Sequence, residues 1–199
     1  MKNRFKFLKT LSEYKSVDYE LKYMREVLGD AHIEFEKFYR QWCAERDIDI
    51  AELNKQNQKR VSKIFEKQEQ GLKRIAKPAE KTERDFSHVF KSIARKLHPD
   101  KLDRLDARRP QYEYDFKRAT SAKEKGDWGV LFEIVEKYGM PMTGYEEAID
   151  ALLENIKKIN LEIENHKKTY SWKLYIAESD EEKGSLVKSF LKQVFNWKE

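Results

Sequence analysis

The chain has 199 residues, a formal net charge of +5 at pH 7, and equal shares, 39% each, of hydrophobic and charged residues. So much charge excludes a thick globular core, while 4 Trp, 10 Tyr and 11 Phe exclude a disordered chain, because aromatic side chains need burial. With only 7 Gly and 4 Pro to interrupt helices, the composition predicts an all-α, elongated protein of long helices with narrow apolar stripes.

Two or three helices are predicted for the first third of the chain. One apolar stripe follows the three-and-four spacing of a helix, through Val27, Leu28, Ala31, Phe35, Phe38, Tyr39 and Trp42. A break is predicted at 46–49, where Asp47 or Asp49 can cap the following helix. That helix is strongly basic over 55–77, and it ends before Pro78 because the residue preceding a proline is disfavoured in helical conformation.

The middle of the chain predicts two longer helices and a short one. The first covers about 82–97, and its apolar stripe consists of Phe86, Val89, Phe90, Ile93, Ala94 and Leu97. Pro110 suits the first turn of the second helix, and Gly126 ends or interrupts that helix. A short apolar helix then covers 128–138 and is closed by Gly139.

The last quarter contains a heptad seam and a final amphipathic helix. The seam alternates steps of four and three through Tyr145, Ile149, Leu152, Ile156, Ile159, Ile163, His166 and Tyr170. This spacing predicts coiled-coil packing. A capping box at 179–182 opens the last helix, and the short break before it favours an antiparallel coiled-coil hairpin. The seam 145–170 could equally serve a homodimer. Taken together, the predicted elements divide the chain into an N-terminal helical region at 1–77, a central module at 78–140 and a C-terminal hairpin at 141–199.

The central segment, 78–140, carries a recognisable motif, His98-Pro99-Asp100, at the end of an amphipathic basic helix. Residues 90–101 resemble the second helix and loop of J domains, the DnaJ family. The register of that family's third helix is matched by Phe116, Ala119 and Ala122. The resemblance implies a central antiparallel helix pair with the motif in the loop at one tip.

The sequence also departs from that family. The family's first helix, with its Tyr and Leu-Gly signature, is not visible, and the basic helix at 55–76 is expected to replace it. Lys123 stands where the family usually has an aromatic residue. No Gly/Phe-rich linker or CxxCxGxG zinc module comes after the motif, so a client-binding domain of the standard kind is absent. The wider layout resembles uncharacterised J-domain proteins of bacteriophages and bacteria.

By this resemblance, the chain is a specialised co-chaperone that docks on a DnaK-type (heat shock protein 70) chaperone and stimulates its ATPase. The flanking helices would bind an unknown protein client. The residues expected to dock are His98, Pro99, Asp100, Lys101, Arg84, His88, Lys91, Arg95 and Lys96. Apart from the family, Pro99 must stop the helix and leave Asp100 on an exposed tip beside a basic face. Such a surface suits a partner with an acidic patch and a matching arginine.

An alternative of a different class is a helical scaffold that binds nucleic acid and has a J-like module that no longer stimulates ATP hydrolysis. The phosphate contacts would come from the basic helix, through Arg60, Lys63, Lys67 and Arg74. An enzyme is not expected, because no P-loop, Gly-rich fingerprint or nucleophile elbow is present. Histidine spacing predicts no metal site, and no cofactor is implied. A single cysteine, Cys43, and no long apolar run favour a cytoplasmic protein outside membranes.

Overall fold

The computed structural model describes residues 2–71, 86–103 and 105–198, and it describes only the backbone of Lys2 and of 61–71. Helices are the only regular elements over these residues, so the predicted all-α class is confirmed. They are α1 (Lys2–Ala44), α2 (Ile50–Gly71), α3 (Ser87–Leu97), a 3-10 turn (Pro99–Lys101), α4 (Arg109–Lys125), α5 (Trp128–Lys137), α6 (Tyr145–Lys167), α7 (Tyr170–Ile176) and α8 (Asp180–Phe195). None of these helices is long and apolar enough to cross a membrane.

Several helix boundaries are set by local chemistry that the sequence displays. The Asp49 side chain caps α2 by accepting the backbone N–H groups of Ala51, at 2.9 Å, and Glu52, at 3.1 Å. Gly126 ends α4 in the left-handed conformation, with φ 67°. Gly139 comes after α5 with φ 58°, which an L side chain would rarely adopt.

Other predicted signals have mixed outcomes. Pro110 lies in the first turn of α4, as expected. The Ser179 hydroxyl accepts the Glu182 backbone N–H at 3.2 Å and so caps α8, as expected. The helix stop at Pro78 and the start of the next helix near Thr82 lie outside the described residues.

The chain divides into two compact units, and the first comprises Met1–Lys22 and Lys81–Ile163. Its core is built by α3, α4, α5, most of α6 and the start of α1. The buried side chains include Phe7, Leu11, Tyr14, Val89, Ile93, Leu97, Ala119, Ala122, Leu131, Phe132, Ile149 and Leu152. The start of α1 therefore covers α3 and α4, whereas the described part of the basic helix, which ends at Gly71, belongs to the second unit. We expected the basic helix in that role, but the start of α1 offers apolar side chains at helical spacing instead.

Tyr14 joins α1 to α5 in the first unit. Its side chain is fully buried, and its ring lies so close to Gly129 that a Cβ there would be 2.2 Å from Cζ. The Tyr14 hydroxyl donates a 2.9 Å hydrogen bond to the carboxylate of Asp127. Burial raises the pKa of both the phenol and the carboxyl above their ordinary values. The contact between α1 and α5 therefore depends on three groups that meet there: the glycine at 129, the Tyr14 phenol and the Asp127 carboxyl.

The second unit comprises Tyr23–Glu80 and Glu164–Glu199, with a separate aromatic core. Its buried side chains are Phe35, Tyr39, Trp42, Cys43, Leu174, Val187 and Leu191. Phe190 of α8 packs edge-on against the ring of Phe35, with centroids 5.0 Å apart. Burial raises the pKa of the Cys43 thiol, which is packed in this core.

Most of the heptad seam serves the first unit, whereas its last residue, Tyr170, packs against Phe190 of α8 in the second unit, with ring centroids 5.3 Å apart. The seam residues that join the core of the first unit or lie against it are Tyr145, Ile149, Leu152, Ile156 and Ile159. The stripe of α8, by contrast, is buried in the second unit through Val187 and Leu191. This packing differs from the predicted antiparallel hairpin of the two helices. Regular apolar spacing specifies which face of a helix is buried, but it does not specify which partner covers that face.

Candidate functional site

The tripeptide His98-Pro99-Asp100, hereafter the HPD corner, lies where α3 ends. His98 is the C-cap, with φ −62° and ψ 129°, and its backbone N–H still bonds to the Ala94 carbonyl at 3.2 Å. Pro99 has no N–H to donate and keeps His98 in extended geometry, so the helix cannot continue. A 3-10 turn therefore begins at once and reverses the chain direction toward α4.

Two hydrogen bonds hold the HPD corner closed. The Asp100 backbone N–H donates to His98 Nδ1 at 3.2 Å, and the Lys101 backbone N–H donates to the His98 carbonyl at 2.9 Å. Since Nδ1 accepts, a neutral His98 ring in this geometry carries its proton on Nε2. The Asp100 side chain is 87% exposed, so its carboxylate is accessible to a partner.

Aromatic contacts connect the HPD corner to α4. The His98 ring meets Phe116 edge to face, with centroids 5.1 Å apart, and Phe116 stacks on Phe90 at 6.2 Å. The ammonium of Lys123 lies 4.7 Å from the centroid of the Phe90 ring. Phe116, in the first half of α4, contacts His98 at the end of α3, whereas Lys123, near the end of α4, contacts Phe90 near the start of α3. The two helices therefore run in opposite directions, and the predicted antiparallel pair is confirmed.

A shallow depression of about 350 Å³ opens beside the HPD corner. Its lining residues are Lys91, Ala94, Arg95, His98, Asp100 and Lys101. The lysine and arginine side chains are exposed, and Asp100 contributes the single carboxylate of this lining. The surface therefore offers a field of positive charge with one negative group at its edge, which suits an acidic partner carrying a cation.

The remaining expected docking residues lie elsewhere. Lys96 turns toward α5, where its Nζ donates a 2.8 Å hydrogen bond to the Tyr138 carbonyl. His88 is exposed near the start of α3 and does not line the depression. Arg84 lies outside the described residues. The depression thus gathers part of the predicted set and leaves Lys96 in a different role.

Asp115 of α4 is a polar centre that the motif analysis did not single out. Its side chain is fully buried, and its carboxylate accepts hydrogen bonds from Lys137 at 2.6 Å and from Tyr138 at 2.7 Å. Burial raises the pKa of this carboxyl, but the bonds from Lys137, Tyr138 and Gln111 outweigh it, so the pKa lies below its ordinary value. The signal for it was a carboxylate placed four residues before Ala119, on the buried face of the helix.

The residues of the nucleic-acid alternative are mostly not described. Arg60 donates to the Asn57 side chain at 2.9 Å and to the Val194 carbonyl of α8. Lys63 and Lys67 belong to α2, but their side chains are outside the described set, as is the whole of Arg74. The one described cation of this alternative is therefore engaged within the protein.

Compared with protein-family models, curated proteins and solved structures, the chain gives no match to any of the three.

Proposed function

We propose that this chain is a specialised J-domain-type co-chaperone that docks on a DnaK-type chaperone through the HPD corner and stimulates its ATPase. The observation that carries the proposal is the depression in which exposed Lys91, Arg95 and Lys101 surround His98 and Asp100. The motif is thus combined with a surface of the required charge, on an antiparallel helix pair.

The charge pattern supports a two-part recognition. The cations attract an acidic patch on the partner and accelerate encounter, an effect that weakens as salt increases. Asp100, at the tip, pairs with an arginine of the partner and sets the register of docking. ATP hydrolysis itself is carried out by the chaperone, and this chain contributes only the bound surface.

The rest of the chain is proposed to bind a client and bring the chaperone to it. The second unit, with its own aromatic core, is separate from the helices that carry the HPD corner. We place this activity in the cytoplasm, where a single buried thiol such as Cys43 stays reduced. No observation on the described residues favours the nucleic-acid alternative, because Arg60 is engaged within the protein.

Single-turnover ATP hydrolysis by a DnaK-type chaperone tests the proposal. The wild-type chain is expected to accelerate hydrolysis, and His98→Gln and Asp100→Asn are each expected to abolish most of the acceleration. Asp30→Asn is the matched control, because Asp30 is an exposed carboxylate of α1 in the second unit. If the wild type does not accelerate hydrolysis, the proposal is overturned in favour of a module that does not stimulate. If Asp100→Asn and Asp30→Asn accelerate hydrolysis equally, the proposal is overturned as well.

A further inference from the structure

Polar contacts tie together the three helices around the HPD corner. Lys96, in the last turn of α3, donates to the Tyr138 carbonyl at the end of α5. The hydroxyl of the same Tyr138 donates to Asp115 of α4, and Lys137 donates to that carboxylate as well. Tyr138 therefore contacts both neighbouring helices: its backbone carbonyl accepts a hydrogen bond from α3, and its side-chain hydroxyl donates one to α4.

The centre of this arrangement is costly to build. A buried carboxylate loses its hydration, and a buried ion pair is often no more stabilising than apolar side chains of the same volume. Asp115 is fully buried, and besides Lys137 and Tyr138 it accepts from Gln111 at 3.0 Å and Arg118 at 3.3 Å. So complete a set of donors fixes the carboxylate in one place, and it fixes its donors too. Geometric specificity is the gain that such a network supplies.

The network reaches the HPD corner through Lys96. This residue stands directly before Leu97 and His98, so a bond at its ammonium restrains the last turn of α3. Its acceptor is the carbonyl of Tyr138, the C-cap residue of α5, which a cation satisfies well. The Tyr138 ring is itself held by an edge-to-face contact with Tyr112 of α4, with centroids 5.2 Å apart.

We propose that Asp115 is a positioning residue for docking. It holds Tyr138 in place, and through the bond from Lys96 to Tyr138 it fixes the end of α3 so that Asp100 is presented in one orientation. A surface fixed in advance binds more tightly, because less conformational freedom is lost on binding. The expected gain in docking affinity rests on the proposed function. The positioning of Asp100 by Asp115 involves only residues of this chain, so it can be measured without a chaperone.

Amide hydrogen exchange in a double-mutant cycle tests the positioning. The reporter is the Lys101 N–H, which bonds to the His98 carbonyl across the HPD corner, and the reference is the Ile93 N–H in the middle of α3. Asp115→Ala and Lys96→Met are each expected to speed exchange of the reporter relative to the reference by about tenfold, roughly the effect of losing one hydrogen bond. Asp115 and Lys96 act on the same residue, Tyr138, without contacting each other. The reporter amide of the double variant should therefore exchange little faster than that of either single variant.

Additive effects in the double variant would overturn the proposal, because they would mean independent sites. Equal acceleration of reporter and reference would also overturn it, because a merely stabilising residue affects both. Tyr138→Phe removes only the hydroxyl and repeats the test if Asp115→Ala folds poorly. The matched controls are Asp150→Ala and Lys117→Met, both at exposed helical positions of the first unit, and they should leave the reporter unchanged.

A second measurement separates this inference from the proposed function. In the single-turnover ATPase assay, Asp115→Ala is expected to raise the concentration of co-chaperone needed for half-maximal stimulation by about tenfold, with the maximal rate kept. If the reporter amide responds as expected but the wild type never stimulates hydrolysis, the positioning stands and the proposed function fails. If the wild type stimulates and the reporter amide does not respond, only the positioning fails.

Discussion

The ammonium of Lys123 lies 4.7 Å from the centroid of the Phe90 ring, so a cation covers this aromatic face, at a position where the resemblance to J domains implies an aromatic side chain. Phe90 also stacks on Phe116, whose edge meets His98. A cation over an aromatic face is attracted by the ring quadrupole, so this contact can hold α3 to α4 in place of a ring-to-ring contact. The departure at Lys123 is therefore compatible with a packed helix pair.

Lys123→Met should lower the free energy of unfolding by about 0.5–1 kcal/mol, because methionine keeps an apolar contact but loses the cation–π attraction. Lys125→Met is the matched control, since both lysines lie in the last turn of α4 and interact alike with the helix dipole. Urea unfolding followed by circular dichroism measures the difference. Equal losses in both variants would mean that the Phe90 contact contributes nothing.

Gly129→Ala should destabilise the chain by about 1–3 kcal/mol, because the new Cβ would overlap the buried Tyr14 ring. Helix propensity alone predicts the opposite, a gain of about 1 kcal/mol. Gly29→Ala supplies the control, because a Cβ at Gly29 in α1 meets nothing within 4 Å and should stabilise. Chemical denaturation of both variants decides the matter, and a stabilised Gly129→Ala would contradict the close approach of α1 to α5.

Asp127 should make stability decrease as the pH rises above the ordinary carboxyl pKa. Burial, together with the nearby charge of Asp18, raises the pKa of the folded carboxyl. The hydrogen bonds from Tyr14 and the Val130 backbone and the charge of Lys22 lower it by less, so the folded state holds the proton more tightly than the unfolded state does. Asp127→Asn keeps an acceptor for Tyr14 and removes the titration. Its free energy of unfolding relative to wild type should therefore increase from about pH 4 to pH 7. A relative stability that is constant over this range would contradict the raised pKa.

Ser179→Ala should lower the free energy of unfolding by about 0.5–2 kcal/mol, because the hydroxyl satisfies the Glu182 backbone N–H at the start of α8. Ser185→Ala, at an exposed position inside the same helix, should be neutral or slightly stabilising, since alanine is the better helix former. Thermal unfolding of the two variants makes the comparison. A loss at Ser185 as large as the loss at Ser179 would show that the cap is not the source of the effect.

Local chemistry in the sequence determined the helical class and many of the element ends. Asp49, Pro110, Gly126 and Ser179 act on backbone groups within a few residues of themselves, so their effects are readable without knowledge of the fold. The HPD corner belongs to the same class, because Pro99 alone is enough to stop α3 and leave Asp100 exposed. The heptad seam likewise indicated that one face of α6 is buried.

Only the tertiary structure decided which surfaces meet. It covered α3 and α4 with the start of α1, it packed most of the seam of α6 into the core of the first unit, and it turned Lys96 from the expected docking face to Tyr138. It also brought Asp115 under Lys137 and Tyr138, a contact between helices that no spacing within α4 reports. The physical reason is that helical periodicity specifies a face and its polarity, whereas the partner of that face depends on shape and charge complementarity with residues far away in the chain.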